Sequence, residues 1–194
     1  MIIKKYSRYL SLTLYIVLLF QTNIIYSKGV SEGAILKDFK ETIMNNDIVK
    51  TQELLKKHPK ISKNNEVKDN FDAFYYSVLN NKFTIVRVLL ESGFDPNHKD
   101  QDMVSMLHWA AAKELVGIAT LLIEKGANVS IRDSEGSTPL HWASVVGSET
   151  MVQLLIANGA DIHSQDKLDY TPLDWAQIKN KKNVMNLLIN NQKI

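Results

Sequence analysis

The chain has 194 residues, 45% of them hydrophobic and 23% charged, the balance of a folded domain rather than a disordered segment. It contains no cysteine, which excludes disulfides, thiolate-bound zinc, iron–sulfur clusters and thiol nucleophiles. Of 23 basic side chains, Lys4, Lys5 and Arg8 stand in the first 27 residues with no acid beside them; the other 20 face 21 acids, so the body of the chain lacks the clustered positive charge that nucleic-acid binding needs.

Residues 1–27 run from that basic region through an apolar stretch, Leu10 to Phe20, broken by Ser11 and Thr13. They turn polar at Gln21, Thr22 and Asn23 before small Ser27. This order reads as a secretory signal peptide cleaved near Lys28, with export to a periplasm or the medium. The apolar core is about 11 residues, whereas a spanning helix needs roughly 20. Extension to Ile25 leaves the alternative of a retained membrane anchor over residues 10–25, which would make the chain a tethered structural or scaffolding protein.

Residues 28–69 hold a helix pair at 34–61, whose Leu54 and Leu55 precede Leu89 and Leu90 by 35 positions, and a connection. This is the pattern of a diverged first repeat. Residues 70–98 keep "VLLESGFD" but open with Ala73, Phe74 and Tyr75, where later units have a Thr-Pro start. Units 99–132, 133–165 and 166–194 then repeat with a period of 33: Trp109, Trp142 and Trp175 fall in one column, with Leu107, Leu140 and Leu173 in another. Gly93, Gly126 and Gly159 form a third column, and Asp100, Asp133 and Asp166 a fourth. A fixed period of this length marks an array of one supersecondary unit.

Within the 133–165 unit, Thr138 and Pro139 form a helix start, a hydroxyl cap followed by a residue whose missing N–H is not needed there. Gly147 ends that short helix. Val152, Leu155 and Ile156 make an apolar stripe on a second helix, which Gly159 terminates by taking a left-handed conformation. A polar connection leads to the next Thr-Pro. Such a helix pair cannot bury its apolar faces alone, so the units must stack. Met103 replaces the glycine found at Gly136, which leads us to expect a less regular turn there. Lys179, Lys181, Lys182 and several asparagines give the last unit a polar outer face suited to a cap.

The motifs "SMLHWAAAKEL…ATLLIEKGANV", "STPLHWASVVG…VQLLIANGADI" and "YTPLDWAQIKN…MNLLINN" resemble the ankyrin repeat, over about residues 70–194. The resemblance implies an all-α solenoid of stacked helix-turn-helix units, with inner helices and turn tips forming a concave face. It also implies protein–protein recognition without catalysis or cofactor, by a monomer. In that pattern His108 and His141 bond neighbouring turn backbone. A carboxylate, Asp174, takes their column in the last unit, which suits a structural role better than imidazole chemistry. The scattered histidines show no metal-ligand spacing, and no phosphate loop or nucleophile elbow is present. The tryptophans read as packing between units and the aspartates as turn residues.

The positions that the repeat leaves free are the candidates for partner contact. Ahead of each helix start stand Phe71, Val104, Ser137 and Tyr170. Near the inner-helix ends stand Leu79, Lys113, Val145, Val146 and Ile178. Apolar and aromatic residues along one groove are what a docking surface requires.

Overall fold

The computed structural model describes residues 32–63, 73–100 and 102–192; residues 1–27 and Phe71 lie outside them. The described elements are helices: α1 (Glu32–Met44), α2 (Ile48–Lys57), α3 (Lys60–Lys63), α4 (Ala73–Leu79), α5 (Phe83–Glu91), α6 (Met106–Ala112), α7 (Val116–Glu124), α8 (Pro139–Val146), α9 (Glu149–Ala157), α10 (Pro172–Ile178) and α11 (Lys182–Asn191). No strand occurs among the described residues, only an isolated bridge between Lys99 and Ser105. The start of α1 is all that is described of residues 1–38, and residues 39–194 form one compact unit.

Within that unit each short inner helix pairs with the outer helix that follows it: α4 with α5, α6 with α7, α8 with α9 and α10 with α11. Inner helices pack on inner helices (α4 on α6, α6 on α8, α8 on α10), and outer on outer from α2 through α5, α7 and α9 to α11. The reason is visible in the columns. Leu89, Leu122, Leu155 and Leu188 are all essentially without solvent exposure, as are Phe74, Leu107 and Leu140 on the inner side. Each such side chain is worth about 1.5–3 kcal/mol when fully buried, and the apolar seam continues from unit to unit. In the last unit Leu173 and Met185, which share columns with fully buried Leu140 and Val152, are half-buried. Lys179 and Lys182 are exposed there, and the Lys181 stem lies against Gly147.

Left-handed backbone recurs at fixed places. Between the paired helices stand Asn46, Asn81, Glu114, Gly147 and Asn180, with φ of 58°, 52°, 57°, 90° and 53°. Asn46 precedes Asn81 by the same 35 positions as the leucines, so the helix pair in residues 34–61 turns as the later pairs do. The exposed turn has a second such column, Met103, Gly136 and Asp169, with φ of 61°, 78° and 62°.

Contrary to the expectation from sequence, the Met103 turn is as regular as its counterparts. Asp100 N–H donates to Val104 O at 2.9 Å, and Met103 N–H to Asp100 O at 3.0 Å; the Gly136 turn has the same pair at 3.0 and 3.1 Å. Methionine has been forced into the glycine conformation by those bonds. A left-handed residue with a Cβ costs about 1–2 kcal/mol, and glycine gives back about half of that through unfolded-state entropy. Met103→Gly is therefore expected to raise the unfolding free energy by about 0.5–1 kcal/mol, read as a higher urea midpoint.

Ser144 on α8 is a second local fault. Its hydroxyl is buried with no hydrogen-bond partner among the described residues. Ala111, one period earlier, fills the same place without exposure. Removing a buried unsatisfied hydroxyl relieves about 1 kcal/mol or more, so Ser144→Ala should also shift the urea midpoint upward.

Candidate partner-binding surface

The repeated polar side chains are used on one another. Each turn aspartate holds its own turn and a tryptophan nine residues on. Asp133 Oδ1 accepts from the N–H groups of Glu135 and Ser137, both at 2.9 Å, and Oδ2 accepts from Trp142 Nε1 at 2.9 Å. Asp100 does the same for Asp102, Val104 and Trp109, and Asp166 for Leu168, Tyr170 and Trp175. Burial pushes the Asp166 carboxyl up, but the bonds from Trp175 and from the Leu168 and Tyr170 N–H groups outweigh it and hold the pKa below the usual carboxylate value. In the sequence, tryptophan and aspartate read as separate packing and turn residues. Their constant spacing of nine in three units was the signal that they act as a pair.

The histidines join one unit to the next. His141 Nδ1 accepts from Thr138 N–H at 3.0 Å and meets the Thr138 hydroxyl at 2.9 Å, while Nε2 donates to Tyr170 O at 3.1 Å, 29 residues along. His108 repeats this with Ser105 and with Ser137 O, the latter at 3.0 Å. A carbonyl only accepts and a backbone N–H only donates, which assigns the neutral Nε2–H tautomer to both rings. Burial lowers the His108 pKa to about 4, against weaker upward pulls from Ser137 O and Asp133; burial likewise lowers that of His141. Asp174 accepts from the Thr171 N–H and hydroxyl at 2.7 and 2.6 Å. It keeps the local half of the arrangement and has no second nitrogen to reach another unit.

The aromatic rings follow the same order. Tyr75, in the histidine column, lies edge-on to Trp109 at 5.4 Å, as His108 does to Trp142 at 5.5 Å. Trp109 and Trp142 meet edge-on at 5.5 Å. Indole nitrogens bonded to the turn aspartates and rings packed edge-on against the adjacent unit make these tryptophans part of the joints between units.

Gly93, Gly126 and Gly159 have φ of 95°, 95° and 88° where the outer helices end. Lys99 Nζ donates to Arg132 O at 2.9 Å, and an Arg132 guanidinium nitrogen to Gln165 O at 2.7 Å, so one turn position links three successive turns.

The candidate contact residues divide. Tyr170 and Ile178 are exposed, at 39% and 54%. Lys113 is exposed, and Leu79, Val145 and Val146 are half-buried at the inner-helix ends. Ser137 is half-buried with its carbonyl engaged by His108. Val104 is only 7% exposed and presents no usable surface. Its N–H and carbonyl both bond Asp100, which places it at the base of the turn. The tip lies one to two residues earlier, at Asp102 and Met103, Glu135 and Gly136, Leu168 and Asp169. Met103 and Leu168 are 52% and 66% exposed. Gly136 marked that apex in the sequence, since a left-handed glycine sits where the chain reverses.

Among the described residues no group of three or more His, Asp or Glu side chains converges as a metal site, and no helix is long and apolar enough to cross a membrane. Paired inner and outer helices, a polar turn and a histidine joint define a helical repeat array. Residues 107–194 match the family model of ankyrin repeats, in three copies, and over that span the chain is an ankyrin-repeat array. Ankyrin repeats are generally protein–protein interaction modules and typically non-catalytic. No curated protein matches the chain.

Proposed function

We propose that this chain is a non-catalytic, monomeric interaction module that binds a protein partner through the concave face built by its inner helices and turn tips. One observation carries the reading. The repeated imidazoles, carboxylates and indole nitrogens are consumed in joints, while exposed apolar side chains stand at the tip and base of the last turn and at an inner-helix end (Leu168, Tyr170, Ile178). Exposed apolar groups at a rigid, pre-formed surface are suited to burial by a partner.

The test is cross-linking and capture with the full chain and with a Val145→Asp, Tyr170→Asp, Ile178→Asp variant, with Val49→Asp on outer helix α2 as control. Loss of the captured partner in the triple variant alone, at a retained urea midpoint, supports the reading. Unchanged capture sinks it. Export behind residues 1–27 belongs to the same proposal and rests on their basic, apolar and polar order. A mature N-terminus near Lys28 supports it, and an intact Met1 favours the anchored form.

A further inference from the structure

We infer that the array carries an acid-operated break: as the pH falls, residues 133–192, the last two helix pairs, part from helices α2–α7, which stay folded. The inference stands whether or not a partner binds the concave face.

Imidazoles bridge the units unevenly. Inner helices meet at three joints, α4 on α6, α6 on α8 and α8 on α10. The last two joints are bridged by histidine: His108 on α6 bonds Ser137 O just ahead of α8, and His141 on α8 bonds Tyr170 O just ahead of α10. On α4 the same column holds Tyr75, set edge-on to Trp109 at 5.4 Å. On α10 it holds Asp174, which bonds Thr171 within its own unit. The imidazole bridges therefore lie in the C-terminal half of the array.

Each ring has both nitrogens committed. His141 Nδ1 accepts from Thr138 N–H at 3.0 Å and Nε2 donates to Tyr170 O at 3.1 Å; the matching distances at His108 are 3.3 Å from Ser105 N–H and 3.0 Å to Ser137 O. A second proton must enter at Nδ1, where a backbone N–H already points. Two donors then face each other, the N–H loses its acceptor, and a cation sits in a seam where both residues are buried. Trp142 of the next unit lies edge-on to His108 at 5.5 Å, so that ring gains water when the units separate.

The surroundings do not offset that cost. Burial opposes the charge on both rings and outweighs the carbonyl that each one bonds. Asp133 favours a charged His108, while Lys99 and His141 oppose it; Asp166 and Asp133 favour a charged His141, while Arg132 opposes it. On the helices packed against them, Glu124 of α7 and Glu149 of α9 are exposed, Asp174 of α10 is bonded to Thr171, and α4 has no acidic or basic residue. Both rings thus take a proton more readily once released, and acid favours the open state. Three helix pairs lie before the His108 joint and two after it. A stack of this kind needs about three units to stand, so the two beyond the joint are the part that lets go.

The experiment is residue-resolved NMR of the full chain at pH 7.5 and at pH 5, in urea just below the pH 7.5 midpoint. Expected at pH 5 is loss of the native amide signals of α8–α11 while those of α4–α7 persist. His108 alone should raise the opening constant of residues 133–192 about thirtyfold between these pH values, and His141 adds to it. His108→Asn, which takes up no proton, should show a smaller rise. Signals of all helices lost together at each pH, α4–α7 lost first, or no change on acidification would each overturn the inference. So would an equal rise in variant and parent. A variant that already lacks the α8–α11 signals at pH 7.5 but keeps those of α4–α7 supports the inference, since the break then follows the ring. A variant without native signals anywhere at pH 7.5 overturns it, because the remaining helices do not stand without that joint.

Discussion

Replacing His141 by alanine is expected to lower the unfolding free energy by about 3–4 kcal/mol, a large share of the 5–15 kcal/mol typical of a domain. The ring is 1% exposed and bonds Thr138 N–H at 3.0 Å and Tyr170 O at 3.1 Å. Alanine leaves the donor and the acceptor without that partner, at about 1 kcal/mol or more each, and a cavity in place of the imidazole. Because Thr138 and Tyr170 belong to successive units, the loss falls on the joint between them, and the last unit should open before the rest. Hydrogen exchange at the α10 and α11 amides reads that opening. His141→Asn separates the two halves of the interaction. Its shorter amide can still accept from Thr138 N–H, as Asp174 does from Thr171, but does not reach Tyr170. About half of the loss should be recovered. A change below about 0.5 kcal/mol for His141→Ala, within the range of ordinary surface substitutions, would contradict the assignment.

The second large effect is on acid stability. The His108 pKa falls from 6.5 in the unfolded chain to about 4 in the folded one, so between those values the unfolded state binds a proton that the folded state refuses. Stability is full above pH 6.5 and declines as the pH falls toward 4. Linkage over this window gives about 2 kcal/mol lost by pH 5 and about 3 kcal/mol by pH 4. His141 is shifted in the same direction and adds to the decline. The lowered pKa of Asp166 also acts with the same sign, but only as the pH falls below the ordinary carboxylate value of 3.8. Urea midpoints from pH 7.5 to 4.5 check this, with His108→Asn, which cannot take up the proton, flattening the upper part of the curve. A midpoint level between pH 7 and 5 would contradict it.

The period of 33 and its leucine, tryptophan and glycine columns made the repeat legible, because each column answers a backbone or packing need that recurs in every unit. The degraded start at Ala73, Phe74 and Tyr75 still forms α4: burial of Phe74 needs only an apolar side chain at that column, not a Thr-Pro cap. Less legible were contacts that cross between columns. The tryptophan–aspartate bond joins residues nine apart on a turn and a helix, so neither residue's local pattern announces it. Val104 is a candidate by its place just ahead of a helix start, but the left-handed apex at Gly136, not the Thr-Pro start, marks the tip, and Val104 falls at the base of the turn. Leu168 does not stand out in the sequence, because Asp102 and Glu135 make its column polar. Specific surface side chains escape a repeat analysis altogether, for they are the positions the shared architecture does not constrain.

The most direct measurement is long-range proton–nitrogen NMR of the imidazoles of His108 and His141 through a pH titration. Each ring should hold its proton on Nε2, accept at Nδ1 and protonate only below the ordinary imidazole value of 6.5, His108 near 4, as a joint between helix pairs must. Rings that titrate near pH 6.5 and exchange freely between tautomers would show side chains open to solvent or to chemistry, and the architecture described here would not stand.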